Sequence, residues 1–144
     1  HLELKGNYNE YFSSVRSQGF GEEAKRRIIL GTFARMSGYR DAYYLKAMKV
    51  RTLIIEDFKR AFNRFDVLAT PTMPILPPKF SEIAKLSPAE TYQMDILTVP
   101  PNLAGIPMIS LPMKEKTPIG LHLLGDHLQE ERILEVAHVF EKSR

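Results

Sequence analysis

An apolar stripe along one long predicted helix constrains the fold of this 144-residue chain more than any other feature. Asp41 can cap the helix, which is expected to run to about Phe65, and Arg51 interrupts the stripe and is expected to line an interface. The stripe is formed by Tyr44, Ala47, Met48, Leu53, Ile54, Phe58, Ala61, Phe62 and Phe65. A helix with one apolar face has to bury that face against another layer of the fold.

Short buried strands are predicted to form the layer that this helix covers. Residues 66–70 are typical of such a strand, and Pro71 ends it. Residues 108–111 and 119–124 form two further apolar runs, and the polar stretch 114–118 that joins them favours a hairpin. Together the strands and helices predict a layered α/β or α+β structure.

Further helices are predicted from their start and stop signals. One covers residues 22–37 and stops at Gly38, because glycine commonly follows the last turn of a helix. Another starts at Ser87, whose sequence context is that of a capping box, and is expected to end near Thr98. Residues 128–141 form an amphipathic helix near the end of the chain.

Composition excludes several classes of protein. Hydrophobic residues make up 44% and charged residues 26% of the chain, which is ordinary for a folded globular domain of this length. The net charge of +3 is too small to indicate a nucleic-acid-binding surface. The absence of cysteine excludes disulfide scaffolds, thiolate zinc sites and cysteine nucleophiles. Prolines interrupt the apolar stretch 96–113, so this stretch is not predicted to cross a membrane.

Motif searches predict no catalytic residue and no metal site in the chain. It contains no Gly-x-Ser-x-Gly, Ser-x-x-Lys, Walker A or Gly-x-Gly-x-x-Gly motif. Its histidines lack the spacing of zinc ligands, and His122 and His127 are expected to be structural or solvated.

Two charged features are candidates for binding a ligand. Lys25, Arg26 and Arg27 stand near the start of a helix, where cations oppose the helix dipole and need a compensating partner; a solvated helix face is the alternative. Asp95 is an acid among apolar residues, and it is either an exposed helix-end residue or a buried carboxylate with a cationic partner. A zwitterionic amino acid requires such a pair, an arginine for its carboxylate and an aspartate for its ammonium group. Sequence spacing alone does not establish that the two features converge.

Several blocks follow one another in an order that identifies a family. Residues 19–33 read Gly-Phe-Gly-Glu-Glu-Ala-Lys-Arg-Arg-Ile-Ile-Leu-Gly-Thr-Phe. The further blocks are residues 37–44, 46–54, 66–74, 95–107 and 118–125. Together they resemble the family of A subunits of the glutamyl-tRNA(Gln)/aspartyl-tRNA(Asn) amidotransferases, within the amidase signature superfamily, and the first two blocks favour these proteins over other amidases. Small departures from the family pattern occur at Met73, Pro101 and Met108.

The resemblance implies an activity that belongs to a longer parent protein. Members of the family hydrolyse glutamine to ammonia. The B and C subunits then use the ammonia, with ATP and Mg²⁺ bound by the partner, to convert Glu-tRNA(Gln) to Gln-tRNA(Gln) or Asp-tRNA(Asn) to Asn-tRNA(Asn). The expected partners are therefore glutamine, those two subunits and mischarged tRNA, and the expected location is the cytoplasm.

The resemblance also implies the domain organisation and the roles of two residues. Residues 1–144 would be the C-terminal portion of a single α/β amidase domain, whose mixed β-sheet core is covered by helices. The nucleophilic serine, a second serine and a lysine would lie outside this chain, so the isolated chain is expected to be inactive. Arg27 matches the position that binds the glutamine carboxylate, and Asp95 matches the position that binds its ammonium group. The alternatives are a portion of another amide hydrolase of the superfamily, or a non-catalytic assembly module.

Overall fold

The computed structural model describes residues 6–114 and 117–143, and the chain divides into two compact units, His1–Lys49 and Val50–Arg144. The first unit contains helices α1, Tyr8–Gly19, and α2, Glu22–Arg35. Asn7 and Glu10 form a capping box at the start of α1, in which each side chain bonds the backbone N–H of the other. The helix α2 ends just before Gly38, the predicted stop, which adopts a left-handed backbone with a φ of 86°.

The long helix predicted to begin at Asp41 starts differently. A short π-helical segment, Arg40–Leu45, precedes helix α3, Lys46–Phe62. Tyr39 is the residue before this segment and no side chain caps it, so the predicted cap at Asp41 is wrong. The rings of Tyr39 and Tyr43 both contact the ring of Phe33, with centroids 4.4 and 6.2 Å away. These aromatic contacts stabilise a turn that begins ahead of Asp41.

A three-stranded antiparallel sheet organises the second unit. Its strands are β1, Val67–Pro71, β2, Met108–Lys114, and β3, Thr117–Gly125, in the order β1-β3-β2. The predicted strand and hairpin are confirmed, and residues 115–116 of the predicted connection lie outside the described residues. Every pairing within the described residues is antiparallel, so the mixed sheet expected for the whole family domain is not a property of these three strands.

The two faces of the sheet are covered by different helices. On one face, Leu111 and Leu123 pack against Ile133 and Ala137 of helix α7, Glu130–Lys142. The close approach of α7 requires Gly125, where a Cβ atom would lie 2.7 Å from the Ile133 side chain. These contacts confirm that the C-terminal helix is amphipathic and covers the sheet.

The opposite face carries the long helix whose apolar stripe is evident in the sequence. Buried residues Ala104, Ile106 and Leu124 form the centre of this cluster. The side chains packed against it are Ile54, Ile55, Phe58 and Phe62 of α3, with Leu68 and Met108 of the sheet. Leu53 and Phe65, which belong to the predicted stripe, are more than half exposed. The predicted α/β layering is confirmed, although the buried face of α3 is narrower than the stripe.

Three short helices connect β1 to β2. They are α4, Phe80–Ile83, α5, Pro88–Gln93, and α6, Val99–Ala104. The predicted capping box is present at Ser87, and its hydrogen bonds to Glu90 lower the pKa of that carboxyl group.

The helix predicted to continue to Thr98 ends at Gln93 instead. A turn over residues 94–98 follows, and α6 begins with Pro100 and Pro101 in its first turn. Proline is tolerated there because the first N–H groups of a helix have no intrahelical acceptor. The two prolines therefore start a helix rather than only ending the one before.

Candidate functional site

Arg27 lies in the first half of α2, where an acid in the first turn compensates its charge. Its Nε donates to Oε1 of Glu23 at 2.9 Å, and Nη1 of Arg26 donates to Oε2 of the same residue at 2.8 Å. Lys25 donates from Nζ to the carbonyl oxygen of Ser17 at 2.8 Å, in the last turn of α1. The cluster therefore has the compensating partners that its position against the helix dipole requires.

The guanidinium of Arg27 is also accessible to a ligand. Its side chain is 60% exposed, so a small carboxylate in solution can approach the planar fork of donors. The contact with Glu23 is an exposed pair between residues four apart, which is a weak interaction in water. A carboxylate that bound both nitrogens of the fork could compete with such a pair.

Asp95 lies in the turn between α5 and α6, and its backbone is held on both sides. Its N–H donates to the carbonyl oxygen of Tyr92 at 3.1 Å. Its own carbonyl oxygen accepts hydrogen bonds from the N–H groups of Thr98 and Val99 at 3.0 and 2.9 Å, and from the Thr98 hydroxyl at 3.1 Å. The residue is therefore part of an ordered turn and not of a fraying helix end.

The surroundings of the Asp95 carboxylate suit an ammonium group. The residue is half-buried. Among the described residues of the second unit, none forms an ion pair with it. A cation that reached this carboxylate would therefore provide it with a counter-ion. Arg27 belongs to the first unit and Asp95 to the second, and their combination in one glutamine site stays a prediction.

Two polar side chains outside the predicted pair contact the helix that follows Asp95. Nε of Arg51, on α3, donates to the carbonyl oxygen of Leu103 at 2.7 Å. Nε2 of His127 donates to the carbonyl oxygen of Ala104 at 3.0 Å. Arg51 was expected at an interface and His127 in a structural or solvated role, but the sequence carries no signal that both meet the end of the same helix.

His122 is buried in the middle of the sheet. It is 3% exposed, and burial lowers the pKa of its imidazole. Its register partners are Thr70 on β1 and Ser110 on β2. Within the described parts of the chain, Nδ1 of His122 and Oγ1 of Thr70 have no hydrogen-bond partner. This location agrees with the structural role expected for His122.

Beside this polar row, two hydroxyl groups meet above a glycine. Oγ1 of Thr72 and Oγ of Ser110 lie 2.5 Å apart in a hydrogen bond. A Cβ atom on Gly120 would lie 2.4 Å from the first of these oxygens, so a larger residue would force the hydroxyl groups to move. The hydroxyl pair thus depends on the glycine.

A cavity of about 450 Å³ lies between the proline-rich loop after β1 and the start of β3. Its walls are mainly apolar and are formed by Met73, Pro74, Ile75, Leu76, Pro77, Pro78, Ile83, Met94, Pro118, Ile119 and Gly120. Met94 is the neighbour of Asp95 in sequence, but among the described residues no charged side chain lines the cavity. The charges of an amino acid would therefore find no partner on these walls.

Neither a metal centre nor a membrane segment is found in the described ranges. Among residues 6–114 and 117–143, no three potential ligands of the His, Cys, Asp or Glu type stand together. Within the same ranges, no helix has both the length and the apolar character needed to cross a membrane.

Comparison with known proteins identifies the family. The model of the Amidase family matches residues 3–134, nearly the whole chain. The chain belongs to the Amidase family. The resemblance carried by its sequence blocks is thereby confirmed, and so is the α/β class predicted for this amidase-family chain.

Similar curated relatives are larger proteins. The A subunit of glutamyl-tRNA(Gln) amidotransferase from Archaeoglobus fulgidus is 50% identical over 135 residues, which cover 92% of this chain and 29% of that protein. The protein of the same name from Halothermothrix orenii is 51% identical over 135 residues, covering 92% and 28%. This amidase-family chain therefore spans less than a third of the length of these relatives.

Solved structures agree on the fold. The crystal structure of the A subunit of glutamyl-tRNA(Gln) amidotransferase from Thermotoga maritima is 39% identical, with a TM-score of 0.67, and the match covers 93% of this chain and 30% of that one. A crystal structure of an amidase gives a TM-score of 0.68 at 20% identity, covering 92% of this chain and 31% of that one. At that identity the second match shows the fold alone.

Proposed function

We propose that the chain is the C-terminal portion of the glutaminase subunit of a tRNA-dependent amidotransferase. The observation that carries the proposal is the identity of about 50%, over 92% of the chain, with proteins named as the A subunit of glutamyl-tRNA(Gln) amidotransferase. Because the chain spans 29% of such a relative, the activity is that of a longer parent protein.

The proposed parent hydrolyses glutamine and passes the ammonia to its partner subunits. The B and C subunits amidate Glu-tRNA(Gln), Asp-tRNA(Asn) or both. A partner subunit uses ATP and Mg²⁺ for this step. Both reactions take place in the cytoplasm. The serine nucleophile, its companion serine and the lysine belong to another part of the parent, so this chain supplies binding groups and no nucleophile.

Within this proposal, Arg27 and Asp95 recognise the two charges of free glutamine. The planar guanidinium of Arg27 pairs with both oxygens of the α-carboxylate, and the carboxylate of Asp95 pairs with the α-ammonium group. An amino acid carries both of these charges, so recognition of both would select it over an uncharged amide. The exposure of Arg27 and the half-burial of Asp95 support these roles.

The test is reconstitution of the full-length parent with its partner subunits. Amidation of Glu-tRNA(Gln) and of Asp-tRNA(Asn) is measured with glutamine as the nitrogen donor, and glutaminase activity is measured separately on the 144-residue chain. We expect glutamine-dependent amidation of at least one tRNA by the complex and no glutaminase activity from the chain alone. Failure of the complex to amidate either tRNA, with intact hydrolysis of another amide, would favour the other amide hydrolases of the family.

A further inference from the structure

The helix that follows Asp95 is too short to be stable on its own. The helix α6 has six residues, and Pro100 and Pro101 contribute no N–H group to it. Isolated helices of fewer than about 12 residues are marginal in water because the first turn costs more conformational entropy than its hydrogen bonds return. Contacts from elsewhere in the fold must therefore fix its position.

The C-terminal end of α6 has all four of its last carbonyl groups bonded. These carbonyl groups are acceptors for which the helix itself offers no N–H donor, so they need donors from beyond the helix. The carbonyls of Pro101 and Asn102 accept from the N–H of Gly105, at 3.0 and 3.2 Å, in a left-handed turn. The remaining two carbonyls, of Leu103 and Ala104, accept from Arg51 and His127.

The N-terminal end of α6 is bonded to Asp95. The carbonyl oxygen of Asp95 accepts from Thr98 and Val99, the residues at which the helix begins. Pro101 and Ala104 are buried, so the helix cannot shift without exposing them. Asp95 and α6 thus form one bonded segment, whose far end is held by two side chains.

The two side chains come from different elements of the second unit. Arg51 is on α3, which covers the sheet, and His127 follows β3. Both are well suited to a helix C-terminus, where the dipole favours a cation or a donor. The N–H of His127 also donates to the Asp126 carboxylate at 2.8 Å, which restrains the backbone beside the imidazole.

We propose that Arg51 and His127 are positioning residues for glutamine recognition, because they fix the end of α6 and thereby the place of Asp95. This inference rests on the function proposed above. Neither residue touches the substrate; each acts through the hydrogen-bonded segment from Asp95 to Ala104.

The test uses the full-length parent in its complex, with substitutions that remove one donor each. Arg51→Met and His127→Phe delete the two bonds, and Arg51→Lys keeps the charge. Arg60→Met is the matched control, because Arg60 lies on the same helix and pairs only with Asp57 among the described residues. His138→Phe is the matched control for His127→Phe, because both histidines are exposed.

The expected result is a change in KM for glutamine with little change in kcat. Loss of a hydrogen bond from the guanidinium group predicts a rise of roughly tenfold for Arg51→Met, and loss of the single imidazole hydrogen bond predicts a rise of roughly threefold for His127→Phe. Arg51→Lys should recover part of the loss, and the controls should match wild type. Amidation supported by ammonium chloride should be unchanged in every variant.

A double-mutant cycle with Asp95→Asn decides whether Arg51 acts through Asp95. If it does, Arg51→Met has little further effect on KM once Asp95→Asn has been made. Additive effects would overturn the inference, and so would equal losses with glutamine and with ammonium. If Asp95→Asn raises KM but Arg51→Met does not, only the positioning role of Arg51 is contradicted. If Asp95→Asn itself has no effect on KM, the role of Asp95 in the proposed function is contradicted as well.

Hydrogen exchange provides a readout that does not require activity. In Arg51→Met or His127→Phe, the amides of residues 102–106 should exchange faster than in the matched controls, because the helix end is released. If Arg51→Met does not assemble into the complex, hydrogen exchange of the same amides is measured in the milder variant Arg51→Lys. Unchanged protection of residues 102–106 in the substituted proteins would overturn the inference.

Discussion

In the first unit none of the described residues is buried, whereas the second unit has buried clusters on both faces of its sheet. The first unit relies on contacts close in sequence, such as the capping box of Asn7 and the pairing of Glu23 with Arg27. The second unit relies on contacts between distant segments. The same difference separates the two candidate binding residues, since Arg27 is placed by its own helix and Asp95 by a helix that Arg51 and His127 hold.

The largest expected effect comes from substituting the two candidate residues in the parent. Arg27→Lys replaces a bidentate fork by a point charge, and Asp95→Asn removes the counter-ion of the substrate ammonium group. If bound glutamine and the rest of the parent protein exclude water from the site, loss of a charged partner costs roughly 2–5 kcal/mol, or about 30- to several-thousand-fold in kcat/KM for glutamine. The measurement is glutamine-dependent amidation of mischarged tRNA by the reconstituted complex.

The nitrogen donor separates recognition from folding. Ammonium chloride should restore amidation in both variants, because it bypasses the glutamine site. Arg26→Lys and Asp57→Asn are matched controls, because each residue forms an exposed pair of little expected energetic value. Equal losses with both nitrogen donors would mean that the substitutions damage folding or assembly, and the assignment of Arg27 and Asp95 would fail.

The next effect in size tests the contrast in burial directly. Ile133→Ala should lower the free energy of unfolding of the chain by about 2–4 kcal/mol, because Ile133 of α7 is 3% exposed and packs against the sheet. Ile29→Ala in the first unit should cost less than about 0.5 kcal/mol, because Ile29 is 68% exposed. Urea unfolding of both variants checks this difference. A comparable cost at Ile29 would contradict the view that the described residues of the first unit form no buried core.

A smaller effect concerns the pH dependence of the second unit. Burial lowers the pKa of His122 below its usual value of 6.5, so below that pH the unfolded chain binds a proton that the folded chain excludes. The free energy of unfolding should therefore decrease as pH falls below about 6.5, by at most about 1.4 kcal/mol per pH unit for one proton. Above that pH the group contributes no pH dependence.

Substitution isolates the contribution of this histidine. In His122→Gln the loss of stability below pH 6.5 should be shallower than in wild type. The exposed His138 provides the control, and His138→Gln should leave the wild-type slope intact. The slopes are measured by urea unfolding at a series of pH values. Identical slopes in wild type and His122→Gln would show that His122 is not the group that titrates.

Sequence patterns predicted the features of this molecule whose causes are local. The capping box of Ser87 lies within four residues, and the hairpin of β2 and β3 follows from two apolar runs with a short connection. The start of α3 was misplaced because aromatic contacts with Phe33 extend the turn ahead of Asp41.

The contacts of the Asp95 segment could not be predicted from the sequence for the opposite reason. Arg51 bonds Leu103 across 52 positions, and the donor could have met any carbonyl that the packing brought close. The break between α5 and α6 arises because prolines that end one helix can equally start another. The roles of Arg27 and Asp95 are implied by the family resemblance, because their spacing in the sequence does not show whether the two side chains meet in the fold.

The smallest expected effect tests whether the ion pairs of Glu23 contribute to the stability of the first unit. Glu23→Gln removes the acid that pairs with Arg26 and Arg27, and exposed pairs of this spacing contribute only about 0.3–0.5 kcal/mol each. Glu22→Gln is a matched control in the same helical turn, where it loses the same favourable interaction with the dipole. The difference between their urea midpoints in low salt therefore measures the pairing, and it should shrink in high salt. Identical midpoints would mean that the basic cluster is only a solvated helix face and that its position on α2 needs no compensating acid.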